Sequence, residues 1–379
     1  MSPRSTPVPT VPQPRLPLFV PPQSGPFDDG WLRLSLSESA FGCSPAARVA
    51  AEAALADAER YPDADATSLA QAVARVHGVT RDHIVVGNGV DELLLLSALA
   101  LSTPDAGGVV SAQTYAGHAN AVGAARSPLT TVPLAAGRVD VERVVAAAAP
   151  GVVVYVCNPH NPTGSALTAA ELRTVVEGVA SAGGVLVLDE AYIEYAGPDR
   201  ASSGVRYVRQ GLPVVVLRTF SKIHGLAGLR CGYSVTTPVL ARELRRLKNV
   251  LVFNVNRVAL AAAEASLGDP AFTAAVARGT RAVLGGFRRA VDETGWAEAL
   301  PSETNFVLVR SPLPADELTA ELARRRIAVK SLAALGFPRH IRVAAGREED
   351  MRRMAAALHE VADLHRGAAG ADRLREAHR

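Results

Sequence analysis

The chain has 379 residues, of which 48% are hydrophobic and 20% charged, and its formal net charge is +3. This nearly neutral composition is typical of a globular protein and does not indicate a nucleic-acid partner. No apolar run reaches the roughly 18 residues that a membrane span needs, and no charged region followed by an apolar stretch marks a signal peptide. The three cysteines have neither metal-ligand nor disulfide spacing, so we expect no metal, no membrane partner and a cytoplasmic location.

The N-terminal residues precede the regular pattern of the rest of the chain. Residues 1–26 are rich in proline and poor in large apolar residues, which predicts a flexible arm. Residues 27–50 are predicted to pack on a small C-terminal domain. This stretch contains a possible short strand near 31–36 and the beginning of an alanine-rich helix predicted over 45–59.

From about residue 83 the pattern alternates between strands and helices. Short apolar runs predict strands at 83–86, 108–111, 129–134, 152–156, 184–188 and 213–217. Helical stretches lie between them, and this alternation predicts a mostly parallel sheet that is covered by helices on both faces. We therefore expect an α/β fold, with a large ligand-binding domain over 51–265.

After about residue 265 the alternation ends. Two helices and two strands are predicted there, at 270–292, 313–325, 305–309 and 340–343. Their order predicts a smaller α+β domain over 266–366. The last residues, 367–379, are polar and rich in glycine and alanine, and are predicted to form a frayed tail.

The stretch after the strand at 213–217 carries the strongest chemical signal. Hydroxyl groups, glycines, Lys222 and Arg230 follow at the strand's exit, where ligands bind in open α/β sheets. An amine beside a buried strand can form a Schiff base, because desolvation and a nearby cation lower its pKa. A surface lysine in a glycine-rich loop is the alternative interpretation of Lys222.

Polar residues at other strand exits complete the pattern. Asp189 ends an apolar strand, where a carboxylate is costly unless it meets a cation or caps a helix. Gly89 marks an anion site at a helix N-terminus or an ordinary tight turn, and Asn161 precedes a proline that could be cis. A phosphorylated pyridine aldehyde would use these groups together. The groups are Lys222 for the aldehyde, Asp189 for the ring nitrogen, Asn161 and Tyr192 for the phenolic oxygen, Tyr115 for the ring face, and Gly89, Val90, Asp91, Thr219, Ser221 and Arg230 for the phosphate.

Eight motifs, taken in chain order, resemble those of the fold-type I, pyridoxal-phosphate-dependent aminotransferases of class I and II. The resemblance is closest to the histidinol-phosphate aminotransferase family. The motifs are Tyr61-Pro62-Asp63, Gly87 to Leu93, Asn158 to Gly164, Leu188 to Tyr192, Thr219 to Gly232, Asn254 to Asn256, Thr304 to Phe306 and Ile341 to Val343. The resemblance covers residues 31–365 and implies a mostly parallel, seven-stranded sheet between helices, a smaller domain and a pyridoxal 5'-phosphate cofactor.

The resemblance also implies roles for individual residues. Lys222 would bind the cofactor covalently and move a proton between substrate and cofactor, with the other cofactor contacts as given above. Arg342 would hold the α-carboxylate of the amino donor, and Lys330 and Asn305 would line the substrate site, although a cap or turn role fits Asn305 equally well. Tyr61 would reach the cofactor phosphate of a neighbouring subunit, which implies a homodimer with shared active sites.

Departures from the family pattern bear on the substrate. Ser37 to Ala40 replaces an Asn-Glu-Asn-Pro-like segment, Val90 stands where serine is frequent, and Lys330 replaces an arginine that grips the substrate phosphate. The amino donor is therefore left open among histidinol phosphate, an aromatic or related amino acid and a donor from a specialised pathway. The expected acceptor is a 2-oxo acid such as 2-oxoglutarate.

Two other functions share these motifs. One is a decarboxylase or lyase resembling the threonine-phosphate decarboxylases, which differs in the bond that is broken at the α-carbon. The other is a transcription regulator that only binds the cofactor. Such a regulator needs an N-terminal DNA-binding domain, which residues 1–26 are too short to form.

Overall fold

The computed structural model describes residues 30–102, 105–197 and 200–377. The arm predicted for 1–26 lies outside the described residues. Within the described ranges, no helix is long and apolar enough to cross a membrane.

Helices and strands alternate through most of the chain. In chain order the strands are β1 (Leu32–Arg33), β2 (Ile84–Gly87), β3 (Gly108–Ser111), β4 (Leu129–Val132), β5 (Val153–Cys157), β6 (Val185–Asp189), β7 (Val214–Thr219), β8 (Gly232–Thr236), β9 (Glu298–Ala299), β10 (Phe306–Arg310), β11 (Ile327–Ala328), β12 (Lys330–Ser331) and β13 (His340–Ala344). The α-helices are α1 (Pro45–Ala54), α2 (Thr67–His77), α3 (Val90–Leu101), α4 (Ala116–Ala124), α5 (Val141–Ala146), α6 (Ala169–Ser181), α7 (Ile193–Ala196), α8 (Val205–Arg209), α9 (Pro238–Lys248), α10 (Arg257–Leu267), α11 (Pro270–Asp292), α12 (Ala315–Arg324) and α13 (Glu348–Ala377).

The large domain is built on a seven-stranded sheet with the order β2-β8-β7-β6-β5-β3-β4. The strands from β7 to β4 are parallel, whereas β8 runs antiparallel to both β7 and β2. Alternate residues of one strand enter different apolar cores, as Val154 and Val156 do on one side and Val153 and Tyr155 on the other. Helices therefore cover both faces, and the predicted α/β fold with a mostly parallel sheet is confirmed.

A second core follows α10. The antiparallel sheet β12-β13-β10-β9 packs against α11, α12 and α13, which contribute buried residues such as Leu284, Leu318 and Leu358. Helix α11 has the bounds predicted from the sequence, 270–292. Helix α13 continues through residues 367–377, so their backbone is helical and the predicted frayed tail is wrong there.

The N-terminal segment connects the two domains. Strand β1 pairs in parallel with β11, and Leu32 and Leu34 are buried in the small-domain core. Helix α1 instead packs against α10, with Ala47 buried in the large-domain core. The segment predicted over 27–50 therefore packs on the small domain only through its first part. Residues 34–42, which we call the crossing segment, run from one domain to the other.

Candidate active site

Polar side chains gather where the parallel strands end. Asp189 is the last residue of β6, Thr219 is the last residue of β7, and Asn161 lies in the loop after β5. Tyr115 directly precedes α4, and Gly89 directly precedes α3. Because these strands are neighbours in the sheet, residues from distant parts of the sequence line one edge of it.

Asp189 lies at the deep end of this edge and is 3% exposed. Its carboxylate accepts hydrogen bonds from His118 Nε2 and from the Ala191 N–H, both at 3.1 Å. The His118 ring lies between the rings of Tyr115 and Tyr155, and its Nδ1 has no hydrogen-bond partner. Helix capping does not account for Asp189, because the N-cap residue of α7 is Tyr192 and no side chain caps this helix. A buried carboxylate held by a histidine is suited to a positively charged ligand atom. Sequence reasoning missed His118, whose only signal is its place one helical turn after Tyr115.

Lys222 approaches from the loop after β7. Its Nζ donates a hydrogen bond to the Ser37 carbonyl oxygen at 3.0 Å and lies 5.7 Å from the centre of the Tyr192 ring. Burial, followed by the charges of Arg342 and Arg230, lowers the pKa of this amine to about 8. Much more of the amine is therefore neutral near pH 7 than for an ordinary lysine, which suits a nucleophile and a proton carrier.

Tyr192 and Asn161 lie between the lysine and the small domain. Asn161 Nδ2 donates to Tyr192 Oη at 3.5 Å, and Asn161 Oδ1 accepts from Arg342 Nη1 at 2.8 Å. Burial raises the pKa of the Tyr192 phenol, so the hydroxyl keeps its proton and can donate it to a ligand oxygen. The Asn161-Pro162 peptide bond is cis, as the sequence suggested.

A second group of polar side chains surrounds Arg230. Arg230 donates to Ser221 Oγ at 3.2 Å and to Asp91 Oδ2 at 3.1 Å, and Tyr115 Oη donates to Asp91 Oδ1 at 2.6 Å. The Thr219 hydroxyl accepts from the Ser221 N–H at 3.0 Å. A guanidinium, hydroxyl groups and the N-terminus of α3, which begins at Val90, together favour a phosphate.

Gly89 leaves room for this arrangement. Its φ of +81° is in the left-handed region, and a Cβ would lie 2.7 Å from Arg230 Nη2. We expect Gly89→Ala to weaken pyridoxal-phosphate affinity by about 10- to 100-fold, because the guanidinium must move and the backbone is strained by about 1–3 kcal/mol. Fluorescence titration with the cofactor measures the effect. Gly78→Ala is the matched control, since its φ is +60° but no atom lies within 4 Å of the added methyl group. Equal affinity in all three proteins would contradict the prediction.

The small domain contributes two cations. Arg342 on β13 is 6% exposed, donates to the Ser35 carbonyl oxygen at 3.0 Å and lies 5.0 Å from the centre of the Phe306 ring. Lys330 on β12 is directly opposite Arg342 in the strand register. Residues opposite each other in antiparallel strands point to the same face, so both cations face the same side of the sheet.

Two predicted site residues make their contacts with other parts of this chain. Tyr61 is 79% exposed and stacks on Phe253, with ring centres 4.6 Å apart. Asn305 donates both of its amide hydrogen bonds to the crossing segment, to the carbonyl oxygens of Ser37 and Glu38. Asn305 is thus connected to Lys222 through the Ser37 carbonyl, and its amide nitrogen binds the backbone of this chain.

The donor set fits pyridoxal 5'-phosphate. A buried amine suits its aldehyde, a buried carboxylate suits a protonated ring nitrogen, and the group around Arg230 suits its phosphate. Within the described ranges there is no cluster of histidine, cysteine and carboxylate side chains that could hold a metal ion.

Known proteins share this architecture. The family described as aminotransferase class I and II matches residues 29–358. Histidinol-phosphate aminotransferase from Geobacillus sp. (strain WCH70) is 35% identical over 328 residues, which are 86% of this chain and 89% of that protein. The crystal structure of histidinol-phosphate aminotransferase from Sinorhizobium meliloti in complex with pyridoxal-5'-phosphate is 32% identical, with a TM-score of 0.80 over 87% of this chain and 90% of that one.

A more distant likeness concerns the fold alone. The crystal structure of L-threonine-O-3-phosphate decarboxylase from Porphyromonas gingivalis has a TM-score of 0.77 and 20% identity, and the match covers 87% of this chain and 99% of that one. The family match and the more similar relatives decide the class of the protein. The chain belongs to the aminotransferase class I and II family and is a fold-type I aminotransferase that depends on pyridoxal 5'-phosphate.

Proposed function

We propose that the chain transfers the amino group of histidinol phosphate to a 2-oxo acid such as 2-oxoglutarate. The observation that carries this proposal is the position of Lys330 directly opposite Arg342 on the site-facing side of the small-domain sheet. Like charges opposite each other on a sheet are destabilising, so the pair favours a ligand with a strongly anionic group. The names of the relatives at 35% and 32% identity support the same donor.

We further propose roles for the residues that would hold the cofactor. When bound, pyridoxal 5'-phosphate supplies an electron sink that stabilises negative charge at the substrate α-carbon. Asp189 would keep a proton on the ring nitrogen, while Asn161 and Tyr192 would donate to the phenolic oxygen. Tyr115 would pack on the ring, and Lys222 would hold the aldehyde covalently.

The remaining contacts orient the phosphate and the substrate. The N–H groups at Val90 and Asp91, the hydroxyls of Thr219 and Ser221, and Arg230 bind the cofactor phosphate. Arg342 binds the anionic group of each substrate in turn. With its amine free, Lys222 would accept the proton from the substrate α-carbon and carry it onward.

A half-reaction screen tests the proposed donor. The purified enzyme is mixed separately with histidinol phosphate, histidinol, aromatic amino acids, basic amino acids and glutamate, and the loss of the cofactor's visible absorbance is followed. Histidinol phosphate is expected to react with the largest kcat/KM among the amino donors. Glutamate is expected to react as well, as the amino form of the second substrate pair, glutamate and 2-oxoglutarate. A faster reaction with an aromatic amino acid would refute the assignment. Release of carbon dioxide from threonine phosphate without an oxo acid would instead identify a decarboxylase.

The charge of Lys330 predicts a pH dependence. Burial, followed by Arg342, lowers the pKa of Lys330 to about 8, so the amine is charged below that pH and loses its charge above it. We expect kcat/KM for histidinol phosphate to fall as the pH rises through about 8, because attraction for the phosphate weakens. In Lys330→Arg this fall in kcat/KM should disappear, since arginine stays charged. The same decline in both proteins, measured by steady-state kinetics, would rule out Lys330 as its origin.

We also propose a homodimer with shared active sites. Exposed apolar side chains lie on and after α1, at Val49, Leu55 and Tyr61, and before α10, at Val250 and Val252, and the two stretches meet where the Tyr61 ring stacks on Phe253. Such a patch is costly in water and favours an interface. In this arrangement Tyr61 would reach the phosphate in the partner's site. Light scattering is expected to show a dimer for the natural chain and a monomer for Val252→Asp, whereas a monomer for both would exclude the arrangement.

A further inference from the structure

The crossing segment passes over the amine of Lys222. The Ser37 carbonyl oxygen accepts the hydrogen bond from Lys222 Nζ at 3.0 Å. The segment also packs closely on the loop that carries the lysine, since a Cβ on Gly225 would lie 1.9 Å from the Gly42 carbonyl oxygen. The position of the Ser37 carbonyl therefore decides whether the lysine has an acceptor within reach.

Asn305 fixes this carbonyl in place. Its Nδ2 donates to the Ser37 oxygen at 3.2 Å and to the Glu38 oxygen at 3.1 Å, which are successive carbonyl groups of the segment. A carbonyl oxygen has two lone pairs, so the Ser37 oxygen can accept from Asn305 and Lys222 together. Asn305 is itself held, because it is 1% exposed and its main-chain oxygen accepts from the Ala345 N–H at 2.8 Å.

We propose that Asn305 is a positioning residue that holds the Ser37 carbonyl as the acceptor of Lys222 whenever this amine is not bonded to the cofactor. It thereby sets how readily Lys222 takes up and gives away the proton that it moves in the reaction. This inference rests on the role proposed for Lys222 above. It gives Asn305 no contact with the substrate, in contrast to the role expected from the sequence.

The neighbouring charges define the effect that the acceptor should have. Burial, Arg342 and Arg230 lower the pKa of Lys222, whereas Glu38 and Asp91 act in the opposite direction. A carbonyl acceptor stabilises the protonated amine, so its loss should lower the pKa further. Simple exposure of the lysine to water would raise the pKa, because it would remove the cost of burial. A lower pKa of Lys222 in an Asn305 variant would therefore indicate loss of the positioned acceptor, whereas a higher pKa would indicate that the lysine has become exposed to water.

Amine labelling measures this sign directly. The chain has lysines only at Lys222, Lys248 and Lys330, so the labelling pattern is simple. The full-length protein is reconstituted with pyridoxamine phosphate, which leaves Lys222 unbonded, and is pulsed with trace acetic anhydride across the neutral and alkaline pH range. Mass spectrometry of the arginine-cleaved peptide 219–230 reports Lys222, and buried Lys248 is the internal standard.

We expect Asn305→Leu, which keeps the space filled but removes the donor, to lower the midpoint of Lys222 labelling by about one pH unit. With a midpoint that moves from about 8 to about 7, this corresponds to about fivefold more labelling at pH 7. Thr304→Val is the matched control, because the Thr304 hydroxyl bonds the Phe306 oxygen and Ser302 rather than the crossing segment. Its labelling midpoint should equal that of the natural chain.

An unchanged or raised midpoint in folded Asn305→Leu would overturn the proposal. Should this variant fail to fold, Asn305→Ala has the same expected sign and the same disproving outcomes. The labelling needs no amino donor, so its result is independent of whether histidinol phosphate proves to be the substrate.

Discussion

Replacing Lys222 with alanine is expected to lower kcat by about 10⁴-fold, because the variant loses both the proton carrier and the covalent link to the cofactor. The other two lysines have different surroundings, since Lys248 bonds the Ala64 carbonyl oxygen and Lys330 lies on β12, opposite Arg342. The measurements are steady-state rates, the visible absorbance of the bound cofactor, and its fixation by borohydride on peptide 219–230. We expect the absorbance band and the fixation to be lost together.

The matched control is Lys248→Ala, which removes another buried amine. It should keep the cofactor band and borohydride fixation. Light scattering on both variants establishes that the assembly of the natural chain is retained. A Lys222→Ala protein in which borohydride still fixes the cofactor would assign the covalent link to a different residue.

Replacing Asp189 with asparagine is expected to lower kcat by about 10³-fold, which corresponds to about 4 kcal/mol of transition-state stabilisation. The amide has the shape of the carboxylate and can still accept from His118, but it has no charge to hold a proton on the ring nitrogen. The effect is large because Asp189 is buried, where water screens charge poorly. Stopped-flow measurement of the half-reaction at saturating donor isolates this chemical step.

Glu194→Gln serves as the control for this prediction. Glu194 also follows β6, but its carboxylate pairs with Arg218 at 3.3 Å and touches no proposed cofactor residue. Its half-reaction rate should stay close to that of the natural chain. If Asp189→Asn also reacts at the natural rate, Asp189 does not control the protonation of the ring nitrogen.

Much of the fold could be read from local patterns. The apolar stretch at 213–217 became β7, and the helix predicted at 270–292 has those bounds in the structure. These elements are strongly periodic or strongly apolar, so their neighbours in sequence suffice to specify them. The tail at 367–379 was mispredicted over 367–377, because its composition resembles a loop while the helix before it continues.

Some parts of the candidate site could likewise be predicted from the sequence, and others could not. Asp189, Lys222 and Arg230 carry distinctive side chains at strand exits, so their chemistry was visible in the sequence, and the family resemblance connected them. His118 and the Ser37 carbonyl were not visible. A histidine within a helix has many possible partners, and a carbonyl oxygen is present in every residue.

The order of residues was thus enough to specify a pyridoxal-phosphate aminotransferase and the side chains that mark its chemistry. The folded chain was needed to show that residues 34–42 cross between the domains, that Asn305 holds this backbone over Lys222, and that Lys330 is opposite Arg342. The reason is that these contacts join residues far apart in the chain and depend on main-chain atoms and strand register, which leave no signature in the identity of a side chain.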